Sequence, residues 1–196
     1  HKFKIAVGGC PNNCVKPNLN DLGIIGQRIP DFDEESCNGC LKCSVEESCP
    51  IKAAKLDDDL LNIDREMCNN CGRCIGACHF DAIEGGITGY KIYLGGMWGK
   101  RVQHGRALKK IFTSEEEALD TIEKVILFYR EQGKTGERFA QTIQRIGFEQ
   151  VEKEILVVIG HRLGKGQNVA KGVEAAGGKA IVIPGMAADM KLGDVM

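Results

Sequence analysis

Residues 37–49 read CNGCLKCSVEESC and residues 68–78 read CNNCGRCIGAC. Each run opens with three cysteines in the spacing C-x2-C-x2-C: Cys37, Cys40 and Cys43 in the first, Cys68, Cys71 and Cys74 in the second. Each closes with a fourth, Cys49 followed by Pro50 and Cys78 followed by His79. The chain has ten cysteines in 196 residues but no stretch of about 18 apolar residues and no signal-peptide pattern. It therefore reads as a soluble, cytoplasmic protein. A reducing compartment keeps thiols free, so the cysteines point to metal rather than disulfides.

The doubled triplet selects the metal. Three closely spaced thiolates wrap one face of a cubane, and in the double-cluster bacterial ferredoxin run the fourth cysteine ligates the other cluster. The expected ligand sets are Cys37, Cys40, Cys43 and Cys78 for one 4Fe-4S cluster, and Cys68, Cys71, Cys74 and Cys49 for the second. Structural zinc also uses C-x2-C pairs, but it takes four ligands and has no use for two interleaved runs. Two departures stand out: five residues separate Cys43 from Cys49 where three are usual, and His79 replaces the usual proline after Cys78. Two clusters form a short path for single electrons, which implies a source and a sink.

Working outward, residues 1–9 (HKFKIAVGG) alternate as a strand does, residues 21–26 (DLGIIG) read as a second strand and residues 90–96 (YKIYLGG) as a third. Neither flank has enough apolar residues for a core of its own, so the two are expected to share one sheet interrupted by the cysteine module. Residues 114–132 carry acids in the first turn and apolar residues at Ala118, Ile122, Val125, Ile126 and Tyr129, the pattern of an amphipathic helix. A shorter helix is expected over 137–146. The net charge of −1 gives no global field favouring nucleic acid or an anionic membrane.

Between the first two strands lies Cys10-Pro11-Asn12-Asn13-Cys14, a C-x3-C pair outside the ferredoxin count. On residues alone it reads equally as two buried thiols at a strand end. The order of parts decides otherwise. The string KFKIAVGGCPNNCVKPNLNDLGIIGQ (2–27), the cysteine module, the returning YKIYLGGMWGK (90–100) and GERFAQTIQRIGF (136–148) together resemble the siroheme-dependent sulfite and nitrite reductases, especially the C subunit of anaerobic sulfite reductase and the dissimilatory enzymes.

That resemblance implies an α+β fold: a sulfite reductase hemoprotein-like mixed sheet with helices over 1–30 and 88–154, interrupted by a two-cluster ferredoxin-like module over 31–87. It implies siroheme coupled to a third 4Fe-4S cluster, held by an upstream C-x5-C pair and a downstream C-x3-C pair. Cys10 and Cys14 match the downstream pair, with Cys14 bridging to the siroheme iron. The upstream pair is absent, and the chain opens on His1 within a strand pattern, so an N-terminal part is expected to be missing. Lys2 and Lys4 resemble the substrate-side lysines, with two solvated strand-edge lysines as the plain alternative. Gly95, Gly96 and Gly99 resemble a glycine-rich strand exit beside the tetrapyrrole, with Lys100 and Arg101, and less directly His104 and Arg106, as cations for its carboxylates. Asn12 and Asn13 are expected to shape the cluster turn through side-chain hydrogen bonds. His79 and His161 read as surface histidines.

The implied activity is reduction of sulfite or nitrite, fed by a flavoprotein or iron-sulfur partner subunit, with a homo-oligomer as a further expectation. The alternative is a stand-alone ferredoxin-type carrier serving another oxidoreductase. A DNA-reading helix or basic patch is lacking. Residues 155–196 depart from the reductase pattern: ILVVIG, KGQNVAKGVEAAG and KAIVIPG read as one β-α-β unit, resembling the opening of a small glycine-rich bacterial family of unknown activity.

Overall fold

The structure is a computed structural model and describes residues 2–157. Six strands are formed, β1 (Ile5–Gly8), β2 (Leu22–Pro30), β3 (Ala54–Asp57), β4 (Leu60–Ile63), β5 (Gly86–Leu94) and β6 (Arg106–Phe112). The helices are α1 (Ser44–Ser48), α2 (Glu115–Gln132), α3 (Phe139–Ile146) and α4 (Phe148–Val157), with a 3-10 turn at Pro17–Leu19. No described helix is long and apolar enough to cross a membrane.

The two flanks do contribute to one sheet, in the order β1-β2-β5-β6. β1 pairs parallel to β2, with Ile5 opposite Leu22 and Gly8 opposite Ile25, and β5 pairs antiparallel to β6, so the sheet is mixed. Two compact units divide the described residues: 2–9, 13–25 and 90–157 in the first, 10–12 and 26–89 in the second. The path leaves the first unit within β2 and re-enters it within β5.

Alternation along the strands puts Leu22 and Ile24, Ile92 and Leu94, and Leu108 and Phe112 into the core of the first unit. α2 adds Ala118, Ile122, Val125 and Ile126, at the three- and four-residue intervals of one helix face. Its start follows from Glu115, Glu116 and Glu117, which favour the positive end of the helix dipole. Phe139 of α3 is fully buried and stacks with Phe3 and Tyr129 at centroid distances of 5.4 and 5.3 Å. Truncating such a ring costs about 3–5 kcal/mol.

The structure revises several element readings. β1 begins at Ile5, so Lys2 and Lys4 precede the strand; β2 runs on to Pro30 and β5 starts at Gly86. β6 starts at Arg106, one of the expected cations, and is a strand beyond the three expected in the flanks. The strand expected at 155–160 is overturned in its described part: Ile155, Leu156 and Val157 end helix α4, because Val151 and Ile155, one helical turn apart, are both buried against the core. The remainder of the expected β-α-β unit, with Gly164, Lys165, Gly166 and His161, lies outside the described residues.

The second unit has its own small core of Val45, Ala54, Leu61, Ile63 and Ile83. The β3–β4 hairpin turns through Asp58 and Asp59, both at positive φ. Gly39, at φ +57°, lies against this turn so closely that a Cβ would come within 2.5 Å of the Asp59 carbonyl oxygen.

Candidate iron-sulfur ligands and their surroundings

In the second unit, Cys37, Cys43, Cys49, Cys68, Cys74 and Cys78 pack, half-buried, against the Val45–Ile83 core. Four cysteines converge most visibly. Cys49, Cys68, Cys71 and Cys74 line one cavity, closed around by Pro30, Pro50, Ile63 and Asn69 among others. These are the members of the second expected set, the crossing Cys49 included. The Cys74 thiol is pushed up by burial, and then by the negative charge that Cys68, Cys71 and Cys49 would carry beside it. The Cys49 sulfur is treated differently. Burial works to raise its pKa, but backbone N–H groups of residues 51–54 outweigh that and hold it below the ordinary thiol range; Ala53 N–H donates to Sγ at 3.3 Å. A sulfur so surrounded is prepared to serve as thiolate.

Turn chemistry explains the convergence. Asn70 sits at φ +55° and Gly72 at φ +72°, the left-handed conformations that asparagine and glycine accept most readily. Asn70 is tied down three times: its carbonyl accepts from Arg28 N at 2.8 Å, its Nδ2 donates to Gln27 Oε1 at 3.2 Å, and its Oδ1 accepts from Cys68 Sγ at 3.6 Å. Asn69 beside it has a buried Oδ1 with no hydrogen-bond partner. Among the described residues no three or more His, Cys, Asp or Glu side chains converge on a point that would hold a single metal ion. From the first expected set, Cys37, Cys43 and Cys78 share the core and Cys40 is half-buried.

Cys10 and Cys14 are exposed, in the segment between β1 and the 3-10 turn. Asn13 does shape this turn: its Oδ1 accepts from Lys16 N at 2.8 Å, and Lys16 takes φ +49°. Asn12 is exposed. Lys2 and Lys4 are exposed on either side of the inward-facing Phe3. The backbone of Lys4 is fixed on both sides, its N–H donating to Asp21 Oδ2 at 3.1 Å and its carbonyl accepting from Leu22 N at 3.1 Å.

Gly96 has a role that sequence reasoning missed. A Cβ there would lie 2.4 Å from the Asn18 carbonyl oxygen and 2.5 Å from that of Asn20, so its bareness lets two backbone segments of the first unit touch. Lys100 and Arg101 are exposed in the β5–β6 connection, beside Trp98 and Val102 at 64% and 57% exposure. Two of the four cations are engaged elsewhere: Arg106 pairs with Glu149 at 2.8 Å and lies over the Phe148 ring, while His104 Nδ1 shares a 3.1 Å hydrogen bond with Asn18 Nδ2. His79 is exposed, as expected.

The near-zero net charge conceals a division. Residues 26–89 hold 13 Asp and Glu against 6 Lys and Arg, whereas the whole chain holds 27 against 26.

Residues 1–163 match the family described as nitrite and sulphite reductase 4Fe-4S domain, and residues 155–196 match the glycine-rich SFCGS family. The coenzyme F420-dependent sulfite reductase of Methanocaldococcus jannaschii is 36% identical over 157 residues, 79% of this chain and 25% of that protein. The dissimilatory-type sulfite reductase subunit alpha of Allochromatium vinosum is 28% identical over 168 residues, 75% of this chain and 40% of that protein. The crystal structure of dissimilatory sulfite reductase I superposes with a TM-score of 0.52 at 24% identity, covering 100% of this chain and 47% of that one, a likeness of fold. The chain thus spans less than half the length of these relatives. With its two cysteine runs, its mixed sheet and a family match over most of its length, this chain belongs to the nitrite and sulphite reductase 4Fe-4S domain family.

Proposed function

We propose that the chain carries electrons through two 4Fe-4S clusters to a siroheme-4Fe-4S centre that reduces sulfite or nitrite. The observation that carries this reading is the convergence of Cys49, Cys68, Cys71 and Cys74 on one cavity, since these four come from two different runs. The donor set fits the group: four soft thiolates, one of them already favoured as an anion, line one cavity. Cys37, Cys40, Cys43 and Cys78 hold the other cluster. Cys10 and Cys14 would supply two thiolates of a third cluster, the one that would couple to siroheme, with Cys14 as the residue that would link the two.

Siroheme, when bound, supplies the iron at which the oxyanion is reduced and accepts electrons one at a time. Reducing one hydrogen sulfite to hydrosulfide and three waters consumes six electrons and six protons, so a relay refilled by a redox partner suits the demand. Lys2 and Lys4 hold the anionic substrate and the protons near it, with the Lys4 backbone fixed by Asp21. Lys100 and Arg101 would pair with carboxylates of the macrocycle, Asn12 shapes the cluster turn through its amide, and Gly96 sets the path of the strand exit. The acidic balance of residues 26–89 suits a redox partner, a flavoprotein or iron-sulfur subunit, that presents cations. Because the second unit has its own core, a ferredoxin-type carrier serving another oxidoreductase is the alternative.

The test is anaerobic isolation of the natural polypeptide that contains these residues, with an absorption spectrum and sulfite-dependent oxidation of reduced methyl viologen. Siroheme bands with sulfite turnover are expected. Loaded clusters with no tetrapyrrole and no turnover would leave the carrier.

A further inference from the structure

We propose that Asn69 sets the two clusters to different reduction potentials, by donating its side-chain N–H to a sulfur of the cluster held by Cys49, Cys68, Cys71 and Cys74. The inference rests on the cluster reading above and adds an ordering of the two clusters.

Asn69 lines the cavity that those four cysteines share, and its Oδ1 is buried without a partner. Leaving a buried amide oxygen unsatisfied is costly, so the position calls for an explanation. The fold does not use it, because the adjacent Asn70 holds the turn through its bonds with Arg28 N and Gln27 Oε1. A cluster in the cavity presents thiolate and sulfide sulfurs, all of them acceptors. A half-turn about χ2 exchanges the amide oxygen and nitrogen at no change of shape, which turns the orphaned acceptor into a donor facing acceptors.

The counterpart in the first run is Asn38, which follows Cys37 as Asn69 follows Cys68. Asn38 is exposed, so water satisfies its amide and no such bond is imposed. One-electron reduction adds negative charge to a cluster, and a buried N–H donor stabilises the more negative state. The cluster beside Asn69 therefore has the higher potential, and a single electron entering the module resides there.

The experiment is potentiometric titration of the anaerobic, cluster-loaded chain followed by electron paramagnetic resonance, in wild type, N69L, N69D and N38L. Two separable potentials are expected in wild type. N69L and N69D, which keep the size but lack the N–H, lower one of them by about tenfold in the reduction equilibrium, about 59 mV, and leave the other in place; N38L moves neither. Selective ¹⁵N labelling of asparagine side-chain amides adds a readout on unmutated protein. Hyperfine coupling of that nitrogen to the reduced cluster is expected in wild type and is lost in N69D. Unmoved potentials in both Asn69 variants, or no coupling in wild type, would overturn the assignment. A wild-type chain that takes up no iron defeats the cluster reading itself, an outcome that iron analysis distinguishes from loaded clusters with indifferent potentials.

Discussion

Arg138, at the start of α3, reaches Asp21, just before β2, with Nη2 lying 3.0 Å from Oδ2 and 3.2 Å from Oδ1 of a carboxylate that is 2% exposed. The same carboxylate accepts the Lys4 N–H, so one buried anion joins the strand that precedes Cys10 to the helix that completes the core. Arg138→Ala leaves that anion buried with a single donor and is expected to cost about 3 kcal/mol. Asp21→Asn keeps an acceptor for Lys4 and is expected to cost less, about 1–2 kcal/mol. Urea denaturation of both variants and the double mutant measures the coupling; equal and additive losses would contradict it.

Acid should expose a second ion pair. Glu137 accepts from Arg145 Nε and Nη2 at 2.9 Å, from Thr142 Oγ1 at 3.0 Å and from Lys134 N at 3.1 Å. The Arg145 bonds foremost hold its carboxyl at about 2, below the ordinary 4.5. A depressed folded-state pKa stabilises above the unfolded value and is lost as pH falls through the folded one. Wild type should therefore lose stability relative to Glu137→Gln between about pH 4.5 and about pH 2, and the two curves should run parallel above pH 5. The check is the urea midpoint followed by far-ultraviolet circular dichroism at each pH.

Gly96→Ala is expected to destabilise the isolated chain by about 1–3 kcal/mol with no cofactor present, because the new methyl meets two backbone carbonyls. Thermal or urea unfolding of the apo chain decides this. An unchanged midpoint would return Gly96 to a purely cofactor-side role.

How much of this was legible beforehand varies with the range of the forces involved. The cysteine runs and helix α2 carry local signals, a fixed spacing and a one-face periodicity, and the structure gathers the Cys49 set and buries the Ala118–Ile126 face. Residues 155–157 misled because Ile, Leu and Val in succession favour a strand by propensity, whereas the burial of Val151 and Ile155 in the core beside α2 and α3 imposes a helix. β6 was not among the expected strands, because Lys109 and Lys110 interrupt its apolar pattern, although Leu108 and Phe112 are buried. The duty of Gly96 depends on Asn18 and Asn20, far away in sequence, and no local pattern announces it.

Cluster membership can be read from paired cysteine variants. Cys49→Ala and Cys71→Ala fall in one set, so each alone and both together should lower iron from about eight to about four per chain. Cys49→Ala with Cys78→Ala strikes both sets and should remove nearly all of it. A Cys49/Cys71 pair that empties both sites would refute the crossing assignment.

The most direct test of the account is iron and acid-labile sulfide analysis of the anaerobically purified chain. The account predicts about eight of each per polypeptide; about two zinc ions and no labile sulfide would contradict it.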